Sequence, residues 1–305
     1  MTVDAEQKTY RGNCHCGSYI FEVTVPELKS VTVCDCSICT KKNYMYLWMN
    51  PENDTFKVIK DDGLLTEYSF GGSFGIAHKF CSKCGVSLVG TSKNGMVLNA
   101  RALQDVNFWD LEIKTCDGAK LDPQYKAPAF TGPEPALPEG TDSSNAKVYH
   151  GSCHCGAITA AVKLPAPIED KDTKERIVEC NCSICSRAGF TWVYPARSQV
   201  ILQERDTQTD PGSESKNLVS YAFNRGVFNK TFCKTCGVYL TNEVTTTTSP
   251  EEMAAWPEDT KAFYERVKHV RPLNIRVLND FDFSTIEFKI ERLDGASRPV
   301  FYVNP

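Results

Sequence analysis

Fourteen of the fifteen cysteines in this 305-residue chain fall into two copies of one pattern. The first copy is Cys14-x-Cys16, Cys34-x-Cys36-x-x-Cys39 and Cys81-x-x-Cys84. The second is Cys153-x-Cys155, Cys180-x-Cys182-x-x-Cys185 and Cys233-x-x-Cys236. Short thiolate pairs separated by long loops are how a chain builds zinc sites. Four thiolates close a tetrahedral structural site, whereas three leave a coordination position open for chemistry. The outer pairs join across the sequence into closed sets, Cys14/Cys16/Cys81/Cys84 and Cys153/Cys155/Cys233/Cys236. Glycines after each pair (Gly17, Gly85, Gly156, Gly237) let backbone N–H groups approach the sulfurs.

The middle triplets, Cys34/Cys36/Cys39 and Cys180/Cys182/Cys185, are the candidate catalytic centres. A three-thiolate zinc is electron-rich and activates water weakly, but it suits a substrate sulfur held as the nucleophilic thiolate. The competing reading is a second structural site closed by His15, His78, His150 or His154. His15 and His154 lie inside the C-x-C pairs, where pointing outward or supporting the ligands is expected ahead of ligation. His78 is matched by Lys230, so no role common to both copies follows. Lys41, Lys42 and Arg187 follow the triplets; Lys41 and Arg187 are the candidates to receive an anionic substrate, against the plainer reading of solvated charge. Nearby aromatics (Tyr44, Tyr46, Trp48; Phe190, Trp192, Tyr194) are expected to build core. Cys116 stands outside both copies as a free thiol.

The elements that position these residues repeat as well. Gly12-Asn-Cys-His-Cys-Gly17 recurs as Gly151-Ser-Cys-His-Cys-Gly156, and Cys36-Ser-Ile-Cys39 as Cys182-Ser-Ile-Cys185. Phe80-Cys81 to Val86 recurs as Phe232-Cys233 to Val238, and Leu98 to Asp105 matches Leu273 to Asp280. Two tandem domains follow, over 1–118 and 147–305, with an extended Pro/Gly/Ser-rich linker at 119–146. Domain two carries an insert at about 245–270. Ser249-Pro250-Glu251-Glu252 offers an N-cap, a proline at N1 and an N3 glutamate, and Pro257 should separate two helices. The insert reads as surface decoration or dimer contact ahead of an active-site lid. Short β-rich segments at Tyr19–Val25, Tyr44–Met49, Gly85–Val89, Phe190–Tyr194 and Ile286–Ile290 make the class mainly β.

A net charge of −4 and a pI near 5.8 leave no electrostatic footprint for nucleic acid or an anionic membrane. The polar N-terminus lacks a signal-peptide core, and no apolar run is long enough to span a membrane. A cytoplasmic, reducing compartment is therefore expected, where C-x-C and C-x-x-C pairs are metal ligands rather than disulfides. Oligomeric state is not legible.

The sequence G-x-C-H-C-G, C-x-C-S-x-C, F-C-x-x-C-G and a closing Asn-x-x-x-Leu-x-Asp resembles the glutathione-dependent formaldehyde-activating enzyme family, which includes centromere protein V. The resemblance covers nearly the whole chain as two copies, leaving out linker and insert. It implies two compact zinc-binding β domains (a Mss-like fold), a structural zinc on the outer pairs and a catalytic zinc on the triplet, up to four zinc ions per chain. It also implies carbon–sulfur lyase chemistry on a small-molecule thiol or thiol adduct, with glutathione as candidate co-substrate. Members mostly have one domain and often an arginine pair after the triplet. Ser186-Arg187-Ala188-Gly189 comes closer to that habit than Thr40-Lys41-Lys42-Asn43, which favours domain two as the active one. The alternative is a non-catalytic, zinc-stapled protein-binding module.

Overall fold

The computed structural model describes residues 6–70, 75–205, 215–245, 248–299 and 301–305. Alternation sets the first elements. In Tyr19–Pro26, Phe21, Val23 and Val25 are fully buried while Glu22 and Thr24 are half-buried, the period-two signature of a strand with one face on a core.

Repeat one contributes β1 (Gln7–Asn13), β2 (Tyr19–Pro26), β3 (Ser30–Cys34), α1 (Ser37–Lys42), β4 (Tyr46–Trp48), β5 (Thr55–Asp61), β6 (Leu65–Ser69), β7 (Ala77–Cys81), β8 (Ser87–Ser92), β9 (Gly95–Asn99) and β10 (Glu112–Cys116). Repeat two contributes β11 (Lys147–Ser152), β12 (Ile158–Leu164), β13 (Ile177–Cys180), α2 (Ser183–Ala188), β14 (Trp192–Val193), β15 (Val200–Glu204), β16 (Leu218–Ala222), β17 (Phe228–Cys233), β18 (Tyr239–Val244), α3 (Pro250–Ala254), α4 (Glu258–Val267), β19 (Leu273–Asn274) and β20 (Ile290–Leu293). Each repeat folds as a three-stranded sheet (β1-β2-β5; β11-β12-β15) and a seven-stranded one. The orders β10-β3-β4-β9-β8-β7-β6 and β16-β17-β18-β19-β14-β13-β20 are the same sheet read from opposite edges. The last strand of each repeat returns parallel to the strand before the triplet, setting Cys116 opposite Cys34 and Leu293 opposite Cys180. The fold is mainly β, and among the described residues no helix is long and apolar enough to cross a membrane.

The insert is helical as its sequence predicts. Ser249 accepts from Glu252 N at 3.2 Å, the Glu252 carboxylate accepts from Ser249 N at 2.8 Å, and Pro257 caps α4. One expected strand fails. Over Ile286–Ile290 the chain runs instead in a 3-10 stretch, Phe283–Lys289, and pairing begins only at Ile290. Asp282 caps that stretch by accepting from Ser284 N at 3.0 Å, and Ile286 alone within it is fully buried. One apolar anchor is satisfied by a turn and needs no ladder.

The repeats share their cores. One cluster joins Phe21, Phe80 and Leu88 to Ile184, Phe190 and Phe232; the other joins Ile38, Tyr44 and Tyr46 to Ile158, Leu240 and Ile275. The short helix of each repeat therefore packs into the other repeat. The matched rings Phe80 and Phe232 meet edge-on, 6.5 Å apart. Each such ring contributes roughly 1.5–3 kcal/mol by leaving water.

The tails also cross. Tyr302, in the tail of repeat two, stacks on His15 of repeat one at 4.5 Å and donates to its carbonyl at 2.7 Å. Tyr125, in the tail of repeat one, stacks on His154 of repeat two at 4.5 Å and donates to its carbonyl at 3.1 Å. Pro305 and Pro128 lie against Gly17 and Gly156, the glycines after the two C-x-C pairs. The stretch read as linker thus opens with a packed arm, which repeat two reproduces with Tyr302 and Pro305.

Candidate metal centres

The outer cysteines converge as their spacing predicts. Cys14, Cys16, Cys81 and Cys84 place their sulfurs within 4.8 Å of one another, as do Cys153, Cys155, Cys233 and Cys236. Sulfur separations of 3.6 Å (Cys14–Cys16 and Cys16–Cys81) and 3.6 and 3.5 Å (Cys153–Cys155 and Cys155–Cys233) suit a tetrahedron, since zinc–sulfur bonds of about 2.3 Å put ligands about 3.8 Å apart. All fifteen cysteines are free of disulfides. Tyr19 N and Ile158 N each donate to a sulfur, Cys14 and Cys153, at 3.3 Å, as anionic thiolates require.

The triplets are built around a helix start. Cys36 and Cys182 are the N-caps of α1 and α2, and Cys39 and Cys185 fall in the first turn. Cys36 and Cys39 sulfurs lie 3.2 Å apart, and Cys36 N and Cys182 N reach back to Cys34 and Cys180 at 3.5 and 3.4 Å. Hydrogen bonding from Cys34 and Cys39, with backbone N–H groups of the helix start, pulls the Cys36 thiol down to about 3. Cys182 is drawn well below the ordinary thiol range by Cys180 and Cys185 in the same way. Among the described residues each triplet remains three: no histidine, carboxylate or further thiol joins it within 4.8 Å.

A turn absent from the sequence expectations closes over each triplet. A Cβ on Gly118 would sit 2.2 Å from Cys34 Sγ, and one on Gly295 would sit 2.4 Å from Cys180 Sγ. Asp35 Oδ1 accepts from Ala119 N at 2.7 Å, and Asn181 Oδ1 from Ala296 N at 2.9 Å. The residue between the first two triplet cysteines therefore pins the turn. The signal was present: Asp117-Gly-Ala119 recurs as Asp294-Gly-Ala296.

Both triplets open into cavities walled by both repeats. The repeat-two cavity measures about 910 Å³ and reaches from Cys180, Cys182 and Cys185 to Arg101 through Trp109 of repeat one. Asp259, Phe263 and Arg266 of α4 line it too, so the insert is a cavity wall rather than surface decoration. The repeat-one cavity, about 610 Å³, is bounded by Leu278 through Phe283 of repeat two. The linings differ. In repeat one, the Tyr46 hydroxyl lies 3.3 Å from Cys39 Sγ and 3.5 Å from His78 Nδ1, and Tyr44 stacks on His78. Burial, reinforced by Lys42, lowers His78 to about 3, so this dyad is neutral. In repeat two, Trp192 replaces Tyr46, Phe190 replaces Tyr44 and Lys230 replaces His78.

The histidines and cations bind the repeats together. His154 bridges Ser37 Oγ (2.9 Å) and the Tyr68 hydroxyl (2.8 Å); His15 bridges Ser183 Oγ (2.9 Å) and the Tyr221 hydroxyl (2.9 Å). Neither points outward, and each grips the serine beside the other repeat's triplet. Lys41 and Arg187 are buried, not solvated. Lys41 donates to Val277 O and Asn279 Oδ1, and Arg187 to Asn13, Ser183 and Asn304. The donors expected to meet an anionic substrate line the two cavities and also donate to protein oxygens. Burial lowers Lys41 and Lys42 to about 8 against the pull of Cys236 and its neighbours, and Arg187 feels Cys14 and Cys84, so these cations offset the negative four-thiol set of the opposite repeat. Cys116 is exposed, beside Cys34 across the parallel pair.

Residues 9–109 and 148–256 each match the family model for the glutathione-dependent formaldehyde-activating enzyme. The chain belongs to this family. It does so twice in tandem, and the two matches together span well over half its length. A crystal structure of a Rhodobacter sphaeroides protein is similar at 19% identity over 47% of this chain and 98% of its own, with a TM-score of 0.30.

Proposed function

We propose that the protein is a zinc-dependent carbon–sulfur lyase acting on thiol adducts, of glutathione and formaldehyde or of a related small electrophile. The triplet of repeat two is the favoured working centre. The observation that carries this reading is a set of three thiols that remains three at the wall of a large cavity, beside a set of four that is closed. Cys180, Cys182 and Cys185 are the ligands; zinc bound there supplies a position that keeps a substrate sulfur as its thiolate. Gly295 leaves Cys180 room to turn its sulfur toward that position. A cavity of about 910 Å³ accommodates a tripeptide thiol with its electrophile. Phe190, Phe228 and Phe263 give it an apolar wall. The substrate thiolate adds to a carbonyl carbon, a carbon–sulfur bond forms, and the carbonyl electron pair moves to oxygen, which takes a proton from solvent. The reverse sequence releases thiol and aldehyde.

The test is zinc per chain together with thiol–aldehyde exchange followed by NMR, with and without Cys182→Ser. About four zinc ions and a loss of exchange in the variant are expected. About two zinc ions, and exchange unchanged by the substitution, would overturn the reading in favour of a zinc-stapled binding module.

A further inference from the structure

Among the described residues three lysines are buried, Lys41, Lys42 and Lys230. Lys41 donates to Val277 O and Asn279 Oδ1, and Lys42 donates to Ser87 Oγ at 3.0 Å. Lys230 is 7% exposed and has neither a hydrogen bond nor an ion pair among the described residues. Its ammonium is held among rings, 5.1 Å from the Trp192 centroid and 5.8 Å from those of Phe190 and Phe228. It lines the same cavity as Cys180, Cys182 and Cys185. Of the three acids that share this wall, Asp105 acts on Arg187, and the other two are engaged elsewhere. Glu179 accepts from Thr191 Oγ1 at 3.0 Å and Arg276 at 3.4 Å, and Asp259 pairs with Arg225 at 2.6 Å. The charges that act on this ammonium are the triplet sulfurs Cys185, Cys182 and Cys180, and its hydrogen-bonding capacity is unused by protein among the described residues. The rings offset part of the cost of burial and fix where the charge points. That capacity, directed into the cavity beside the triplet, suits a ligand atom: an anionic oxygen close to a sulfur on the triplet.

We propose that Lys230 binds the oxygen of the adduct, donating a hydrogen bond to the alkoxide that forms as the substrate thiolate adds to the carbonyl carbon. The proposal rests on the lyase reading above. As the carbon–sulfur bond forms, the carbonyl π pair becomes an oxygen lone pair facing the ammonium; solvent supplies the proton that completes the hydroxyl. In the reverse direction the pair returns to the carbonyl and the thiolate leaves. A donor placed where charge develops accelerates the step without tightening the free thiol. Repeat one cannot act this way, because His78 is neutral and already contacts Tyr46.

The test uses the full chain in a Cys34→Ser/Cys36→Ser background, so that one open triplet loads with cobalt(II). Mercaptoacetate and ethanethiol are titrated separately while the thiolate-to-cobalt charge-transfer band is followed. Mercaptoacetate carries an anionic oxygen beside its sulfur and ethanethiol does not. Mercaptoacetate is expected to bind at least ~10-fold tighter, about the value of one charge-assisted hydrogen bond. Lys230→Met, and independently Lys230→Gln, should bring the ratio to about 1, while Lys230→Arg keeps most of it. In the zinc protein, Lys230→Met should lower kcat for exchange by roughly 100-fold and leave KM for the thiol unchanged. A ratio unchanged in both neutral variants overturns the assignment of Lys230 alone. A band that responds to neither thiol overturns the open-triplet reading as well.

Discussion

The two triplet chambers start from the same parts and end differently. Each has three thiols at a helix start, an Asp-Gly turn closing over the first sulfur, and a wall borrowed from the other repeat. Above that shared frame, repeat one presents a neutral Tyr46–His78 pair and repeat two presents Lys230, among aromatic rings and facing the triplet sulfurs. The frame is built from backbone turns and sulfur, which tolerate few alternatives. Tyr46, His78, Phe190 and Lys230 line the cavities, and Tyr44 and Trp192 pack directly behind them. The chambers thus share their cysteines and differ at positions 44/190, 46/192 and 78/230 and in the α4 wall of repeat two.

If repeat two is the working centre, the largest asymmetry lies in the ligands. Cys182→Ser should slow thiol–aldehyde exchange at least ~100-fold, and Cys36→Ser should change it less than about 3-fold, each removing about one zinc by metal analysis. Equal losses would erase the contrast. The next effect tests the shared frame. Gly295→Ala and Gly118→Ala should each weaken zinc at their own triplet by roughly 10–100-fold in a chelator competition, since the added Cβ must displace a ligand sulfur.

A smaller difference appears with pH. His78 is depressed to about 3 in the folded chain by burial, then by Lys42. Below the unfolded value near 6.5 the unfolded chain therefore binds the additional proton, and stability falls as pH falls toward 3. Between pH 7 and pH 5 this amounts to about 2 kcal/mol. His78→Gln should remove that share of the pH dependence in urea melts; an unchanged slope would mean that His78 protonates freely in the fold. The smallest expected effect is a symmetrical one. Ser37→Ala and Ser183→Ala each remove one hydrogen bond to the opposite repeat's histidine and should cost about 1 kcal/mol apiece in urea melts. A large inequality would show that the crossed contacts are not equivalent.

Much of the frame was legible because it is local chemistry. The four-plus-three division, the capped insert helices and the mainly β class follow from spacing, caps and alternation. What escaped was everything the chain does across its own repeats. For Lys41 and Arg187, which follow the triplets, the bonds they make to the other repeat were not legible. Each lies two residues past the third cysteine, about 200° round the helix, which turns it to the other repeat. The extent of the repeat was also underread. Asp117 to Pro128 matches Asp294 to Pro305 only at scattered positions (Asp, Gly, Ala, Tyr, Pro), and its composition mimics a linker. Ile286–Ile290 is β-rich in composition, yet a single buried isoleucine decides its conformation.

The crossed architecture has a consequence for the order of events at the ribosome. Repeat one is synthesised first, but its cavity lacks a wall until Leu278 through Phe283 have emerged, and its His15 lacks a stacking partner until Tyr302 has. The nascent first half therefore waits with its helix α1 and half a core uncovered, until the tail of repeat two emerges to pack against the first metal knuckle.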